Sequence, residues 1–173
     1  MKDLNYMAVA DKAMAGIGKG AFLTVQAGVR LNTMTIGWAT IGIMWRKPVM
    51  MVAVRESRHT FGIIERAEDF TVTVPAAGMD EEVAFCGTKS GRDFDKFKEC
   101  GLATVPGRFV NSPVIEAAGI HYECRIVYRA PMVPELLHGE YRRNVYQEGD
   151  YHTLYFGEIV ACYETTRARP DGQ

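Results

Sequence analysis

The chain has 173 residues, of which 47% are apolar and 24% charged, proportions typical of a globular protein. Its formal net charge is −1, which excludes the basic footprint of a nucleic-acid-binding protein. The apolar stretches fall short of the ~18 residues that a transmembrane helix needs. The start, MKDLNYMAVADK, carries charges where a signal peptide has an apolar core. We therefore expect a single cytoplasmic domain over residues 1–173 without a membrane or nucleic-acid partner.

The cysteines and histidines show no metal-ligand spacing. The four cysteines are far apart and include no CxxC pair, so we expect reduced thiols packed as small hydrophobic groups. The histidines share no i, i+4 spacing and no HExxH motif, and we predict no metal site. These residues are Cys86, Cys100, Cys124, Cys162, His59, His121, His138 and His152.

The first part of the chain is predicted to hold a short helix and several strands. Residues 10–18 are typical of a helix, and Gly16, Gly18 and Gly20 match neither GxGxxG nor GxxxxGK[ST], which indicates a turn rather than a nucleotide loop. Residues 21–26 and 29–37 predict a hairpin that turns at Ala27 and Gly28. The continuous apolar run 48–54 begins at a proline, as a buried strand often does.

The middle of the chain mixes one clear strand with short helices. Ser57 is predicted to be the N-cap of a helix over 58–67. Residues 70–74 alternate as a strand, and short helices are expected over 80–86 and 93–99, on either side of a glycine-containing loop at 87–91.

The last part of the chain is predicted to contain two long strands. They are expected over 119–129 and 152–163, and the mixed, charged segment 131–149 between them is predicted to be an excursion or lid. Many strands, few helices and no βαβ rhythm favour a mainly β fold, a β-barrel with short helices.

The segment from Arg55 to Thr60 has the composition of a phosphate site. It follows a strand and combines guanidinium groups with the hydroxyls of Ser57 and Thr60 near a predicted helix start, where amides are free to bind an anion. An ordinary N-cap with solvated arginines explains the same residues equally well. From this segment alone the two interpretations remain open.

A second loop, Lys89-Ser90-Gly91-Arg92, adds cationic and hydroxyl groups. Glycines there would let the backbone approach a ligand closely. The alternative is a polar connection between two short helices. The neighbouring Asp93, Asp95 and Lys96 are predicted to be exposed helix charges.

Trp38 and His152 are the remaining site candidates. Trp38 is either a core residue or the wall of an aromatic pocket. His152 begins the last strand, from where it could reach a pocket, although a structural histidine is the commoner case. Ser57 and Cys86 lack the context of a nucleophile, so hydrolase chemistry has little support.

Four segments together resemble one known family. NTMTIGW, VRESRHT, CGTKSGRDFDKF and GDYHTLYFGEIV, in this order, are similar to the flavin reductase-like FMN-binding split barrels of Greek-key type, and within them most similar to flavoredoxins. The resemblance covers roughly residues 20–163. It implies a homodimer with FMN close to the subunit interface. The chain departs from the family in lacking a proline-rich start and at residues 131–149.

The resemblance also implies roles for individual residues. Those expected to line the isoalloxazine ring are Asn32, Thr33, Met34, Thr35 and Trp38. Those expected to hold the phosphate or ribityl chain are Arg55, Ser57, Arg58, His59 and Thr60. Lys89 and Ser90 would meet the flavin from the next loop, Phe156 would lie beside it, and His152 would have a catalytic or nicotinamide-positioning role.

The implied function is a redox reaction carried by FMN. NAD(P)H or another reduced donor would deliver electrons to the flavin, which would pass them to an acceptor. The alternatives are a flavoredoxin-type electron carrier that uses a redox protein partner, and a flavin-binding protein without turnover.

Overall fold

The computed structural model describes residues 1–166, which form mainly antiparallel β-structure with short helices. Residues 167–173, included in the predicted single domain, lie outside the described residues. The strands are β1 (Lys2–Asp3), β2 (Ala21–Ala27), β3 (Arg30–Ile36), β4 (Ala39–Met44), β5 (Lys47–Arg55), β6 (Asp69–Pro75), β7 (Thr104–Val105), β8 (Val114–Ile115), β9 (Gly119–Pro131) and β10 (His152–Thr165). The α-helices are α1 (Ala10–Ile17), α2 (Phe61–Ile64), α3 (Asp80–Thr88), α4 (Lys96–Glu99) and α5 (Gly139–Val145), and 3-10 helices span Tyr6–Val9 and Pro134–Leu136.

The main sheet has the strand order β3-β2-β6-β9-β10-β5-β4, with β1 added to β10, and β7 and β8 form a separate pair. All these pairs are antiparallel. The connection from β5 to β6 crosses the sheet, so sequence neighbours are not always spatial neighbours, as in Greek-key barrels. The predicted fold class, mainly β with short helices, is confirmed.

The core lies inside the curved sheet. Its largest fully buried side chains are aromatic, Tyr122, Tyr155, Tyr163, Phe22 and Phe70. A smaller cluster under α3 and α4 contains Phe22 and Cys86 with partly buried Cys100 packed against it. Among residues 1–166, none of the four cysteines takes part in a disulfide, and Cys86, Cys124 and Cys162 are buried. Burial of these apolar groups is the main stabilising contribution to the fold.

The predicted helix over 58–67 with Ser57 as its N-cap is wrong. Helix α2 covers only Phe61–Ile64 and follows Thr60, whose side chain makes no capping bond. The Ser57 hydroxyl instead donates to Asp150 Oδ2 at 2.6 Å. The Arg58 amide bonds to Arg55 O at 3.1 Å, so the chain makes a turn before the helix can begin.

The hairpin between β4 and β5 was not predicted from the sequence. Its two-residue turn, Trp45 and Arg46, has φ angles of 52° and 60°. Positive φ at both positions is typical of a tight hairpin turn, but the residues usually found there are glycine or asparagine. The sequence therefore carries no turn signal at this point. None of the helices within residues 1–166 is long and apolar enough to cross a membrane.

Candidate functional site

Two adjoining clefts bring together all but two of the predicted site residues. The wide cleft, about 240 Å³, is lined by Met34, Thr35, Ile36, Gly37, Trp38, Ala53, Arg55, Arg58 and His152. The cationic cleft, about 110 Å³, is lined by Asn32, Met34, Ser57, Arg58, His59, Thr60, Cys86, Thr88, Lys89, Ser90, Gly91, Arg92 and Lys96. Met34 and Arg58 belong to both linings, so the clefts form one continuous site.

Thr33 and Phe156 line neither cleft. The Thr33 hydroxyl donates to Leu23 O at 3.2 Å, inside the β2–β3 pair. Phe156 lies against Trp45 and Tyr128, with ring centroids 6.3 and 5.7 Å away. The roles assigned to these two residues stay predictions.

The cationic cleft presents hydroxyl groups whose protons are available to a ligand. Thr60 Oγ1 accepts a hydrogen bond from Asn32 Nδ2 at 2.8 Å, which leaves its own proton free to donate. Ser90 Oγ likewise accepts from the Arg92 amide at 3.2 Å. Arg92 Nη1 donates to Ser57 O at 2.9 Å and thereby ties the loop after α3 to the end of β5.

The electrostatics of the cationic cleft favour an anion. In the described part of the chain, no carboxylate lines it. Burial lowers the pKa of His59 below its ordinary value, and the positive charges of Arg92, Arg30 and Lys96 add to this. His59 is therefore neutral at pH 7, and the cationic side chains give the cleft its positive potential.

Ser57 and Arg55 are largely engaged with Asp150. The Ser57 amide and hydroxyl both donate to its carboxylate, and Arg55 Nη1 lies 3.6 Å from Asp150 Oδ2. Although burial opposes the shift, these bonds and the charge of Arg55 lower the pKa of Asp150. The three residues fasten the segment 131–149 to the barrel at the edge of both clefts.

Trp38 forms a wall of the wide cleft. Its side chain is 48% exposed, so it is not a core residue. Its ring lies 4.6 Å from the His152 ring, and the Tyr146 hydroxyl lies 2.7 Å from His152 Nδ1. Burial, with the nearby Arg55 charge, lowers the pKa of His152 to about 4. His152 is therefore neutral at pH 7, with one ring N–H, and its ring packs against the Trp38 ring.

Tyr146 was not identified from the sequence, because residues 131–149 align with no family segment. Its position six residues before His152 is the one signal that could have identified it. The segment predicted to be an excursion or lid contains α5 and ends at this contact.

The prediction that Lys96 is an exposed helix charge is wrong. Its side chain is only 4% exposed, and Lys96 Nζ donates to Cys86 O at 2.7 Å. Asp95 is exposed as predicted, and its carboxylate caps α4 by accepting from the amides of Phe97 and Lys98. This cap fixes Lys96 as the first residue of a single-turn helix, too short for periodicity to reveal which side is buried.

Strand β3 supplies backbone groups to the wide cleft. Within residues 1–166, it lies at one end of the strand order and pairs only with β2. Alternate amides and carbonyls of an edge strand point away from its neighbour and are free to bind a ligand. Residues 34–37, which line the wide cleft, lie at its end.

Comparison with known proteins identifies the family. Residues 18–171 match the flavin reductase like domain, and the chain belongs to that family. An uncharacterized protein of Pyrococcus abyssi is 31% identical over 137 residues, which cover 78% of this chain and 66% of that protein. The chain thus spans about two thirds of that relative.

Solved structures share the fold. Flavoredoxin of Desulfovibrio vulgaris (Miyazaki F) has a TM-score of 0.67 at 22% identity, over 88% of this chain and 73% of that chain. An FMN-binding protein from Thermus thermophilus with bound 1-cyclohex-2-enone has a TM-score of 0.66 at 25% identity, over 84% and 69%. The resemblance to flavin reductase-like split barrels is confirmed.

Proposed function

We propose that this chain binds FMN across the two clefts and passes electrons from a reduced donor such as NAD(P)H through the flavin to an acceptor. The phosphate would occupy the cationic cleft and the isoalloxazine ring the wide cleft. One observation carries the proposal: a cationic cleft, lined by no carboxylate of residues 1–166, adjoins a cleft formed by the edge strand β3 and the Trp38 ring.

The residues present fit this cofactor. A phosphate monoester carries about two negative charges and accepts several hydrogen bonds, and Arg58, Lys89 and Arg92 with the Thr60 and Ser90 hydroxyls supply both needs. The polar rim of the flavin ring needs backbone donors and acceptors, which the end of β3 offers. The face of the ring needs an apolar neighbour, and Trp38 supplies it.

The flavin would supply the redox chemistry when bound, and the protein would bind, orient and shield it. Neutral His152, hydrogen-bonded to Tyr146, would keep Trp38 in place beside the ring. This arrangement makes His152 a positioning residue. Lys89 lies in the cationic cleft, with its ammonium 5.8 Å from the Phe94 ring centroid.

The experiment that tests the proposal is anaerobic stopped-flow absorbance of the purified protein loaded with FMN. Rapid bleaching of the flavin band on mixing with NADH or NADPH supports the reductase function and identifies the donor. A flavin that ignores both donors but is reduced by a low-potential protein donor would assign the alternative, a flavoredoxin-type carrier. A protein that does not take up FMN at all would refute the assignment.

We also propose that the protein is a homodimer. The face around the β4–β5 hairpin exposes large apolar side chains, with Ile43 at 65%, Trp45 at 56% and Tyr128 at 51%. A cluster of this kind marks an interaction surface in many proteins, and covering it with a second copy would remove it from water. Sedimentation equilibrium tests this, and a monomer at micromolar concentration would contradict it. The cytoplasmic location stays a prediction.

A further inference from the structure

Lys96 is a buried cation with a single hydrogen-bond acceptor among the described residues. Its side chain is 4% exposed, yet it lines the cationic cleft. Within residues 1–166, the only hydrogen-bond acceptor of Lys96 Nζ is Cys86 O at 2.7 Å, and Lys96 takes part in none of the ion pairs there. An ammonium group has three donors, so two of them have no acceptor in the part of the chain that the structure describes.

The surroundings of Lys96 make this arrangement unfavourable without an anion. Burial of a charge is costly unless the charge is paired and hydrogen-bonded. The lining of the cleft adds Arg58, Lys89 and Arg92 and, in the described part of the chain, no carboxylate. Burial, together with the charge of Arg58, lowers the pKa of Lys96 below its ordinary value. A cluster of cations with unused donors is what an anionic ligand would complete.

Capping of α3 explains only part of this arrangement. The last carbonyls of a helix lack partners within the helix, and cations near them are favourable. Lys96 Nζ donates a hydrogen bond to Cys86 O, and Arg58 Nη1 donates one to Gly87 O at 3.1 Å. One acceptor does not satisfy the ammonium, however, and a capping role does not require a position in the lining of a cleft.

We propose that Lys96 is a phosphate-binding residue of this site and makes it selective for a flavin with a terminal phosphate, FMN, over riboflavin. The inference rests on the proposed function. The cleft of about 110 Å³ is much smaller than the roughly 300–1,000 Å³ of sites that enclose a whole ligand, so it fits one end group such as a phosphate.

The test compares the affinities of the full chain, freed of flavin, for FMN and riboflavin by quenching of flavin fluorescence. Lys96→Met is expected to raise the Kd for FMN about 10- to 100-fold, the loss of one charge-assisted hydrogen bond, and to change that for riboflavin less than about twofold. Lys98→Met, which removes an exposed charge from the same helix, should change neither.

Two further variants test the same proposal if Lys96→Met does not fold. Lys96→Gln should show the same loss specific to FMN, and Lys96→Arg, which keeps the charge, should retain the preference for FMN. An unchanged affinity for FMN in Lys96→Met, or an equal loss for both flavins, would overturn the assignment of Lys96 while leaving the proposed function intact. If the unmodified chain binds neither flavin, the proposed function fails, and the inference fails with it.

Discussion

Gly91→Ala is expected to disturb the phosphate end of the site with little effect on the rest of the fold. An alanine Cβ at this position would overlap Asn32 Oδ1 and lie 2.8 Å from His59 Cδ2. Asn32 is 5% exposed and is held by its hydrogen bond to Thr60, so it cannot turn away freely. Either that bond breaks, which costs about 1 kcal/mol, or the loop after α3 moves outward.

The size of the effect follows from these contacts. Overpacking of this kind costs about 1–3 kcal/mol, and we expect the free energy of unfolding to fall by that amount. Displacement of the Thr60 hydroxyl should cost about 1 kcal/mol of FMN binding, which raises the Kd about fivefold. Urea unfolding gives the first quantity, and titration with FMN gives the second.

Gly62→Ala is the matched control for Gly91→Ala. The Cβ of alanine at this position in α2 meets no heavy atom within 4 Å. Since alanine favours a helix, this change should stabilise the fold slightly, by about 0.5–1 kcal/mol, and leave FMN affinity unchanged. Wild-type stability and affinity in Gly91→Ala would show that the loop is not packed against Asn32 and His59 as described.

Three other predictions concern the same site and the buried histidines. Arg58→Ala combined with Thr60→Ala should lower FMN affinity at least about tenfold in a folded protein, because it removes one charged and one hydroxyl donor. An unchanged Kd would show that neither residue binds the phosphate. Trp38→Ala should alter the absorption envelope of bound flavin while lowering stability by less than about 1 kcal/mol, since Trp38 is 48% exposed; a native spectrum with a large loss of stability would place it in the core. Burial lowers the pKa values of His121 and His152 to about 4, below the unfolded value of about 6.5. Because the unfolded chain binds these protons more tightly than the folded protein, the free energy of unfolding should fall as pH decreases from 6.5 to 5. Urea titrations that show no such fall would contradict this.

The strands were predictable because their signal is local. Residues 119–129 and 152–163 alternate or remain apolar over long runs, and the structure has β9 and β10 there. Strand ends and glycine-containing loops carry the polar residues that the sequence analysis selected, and most of these residues line the two clefts. Their role in binding a flavin stays a prediction.

What the sequence did not reveal depends on contacts between distant segments. Ser57 is a residue type that commonly caps helices, but its hydroxyl donates a hydrogen bond to Asp150, which lies far along the chain. Lys96 is buried because the Asp95 cap and the carbonyl at the end of α3 fix it, and neither partner is visible in a single-turn pattern. Tyr146 meets His152 only because its segment is fastened back onto the barrel.

The division of the site into two clefts has a consequence for evolution and engineering. The cationic cleft is built largely from residues 57–60 and 86–96, whereas the wide cleft is built from the end of β3, Trp38 and the start of β10. Apart from Met34 and Arg58, which line both clefts, a substitution in one set leaves the residues that line the other cleft unchanged. Under the proposed function, replacing the loop after α3 would change which ligand tail the protein accepts and would leave most of the lining of the wide cleft unchanged.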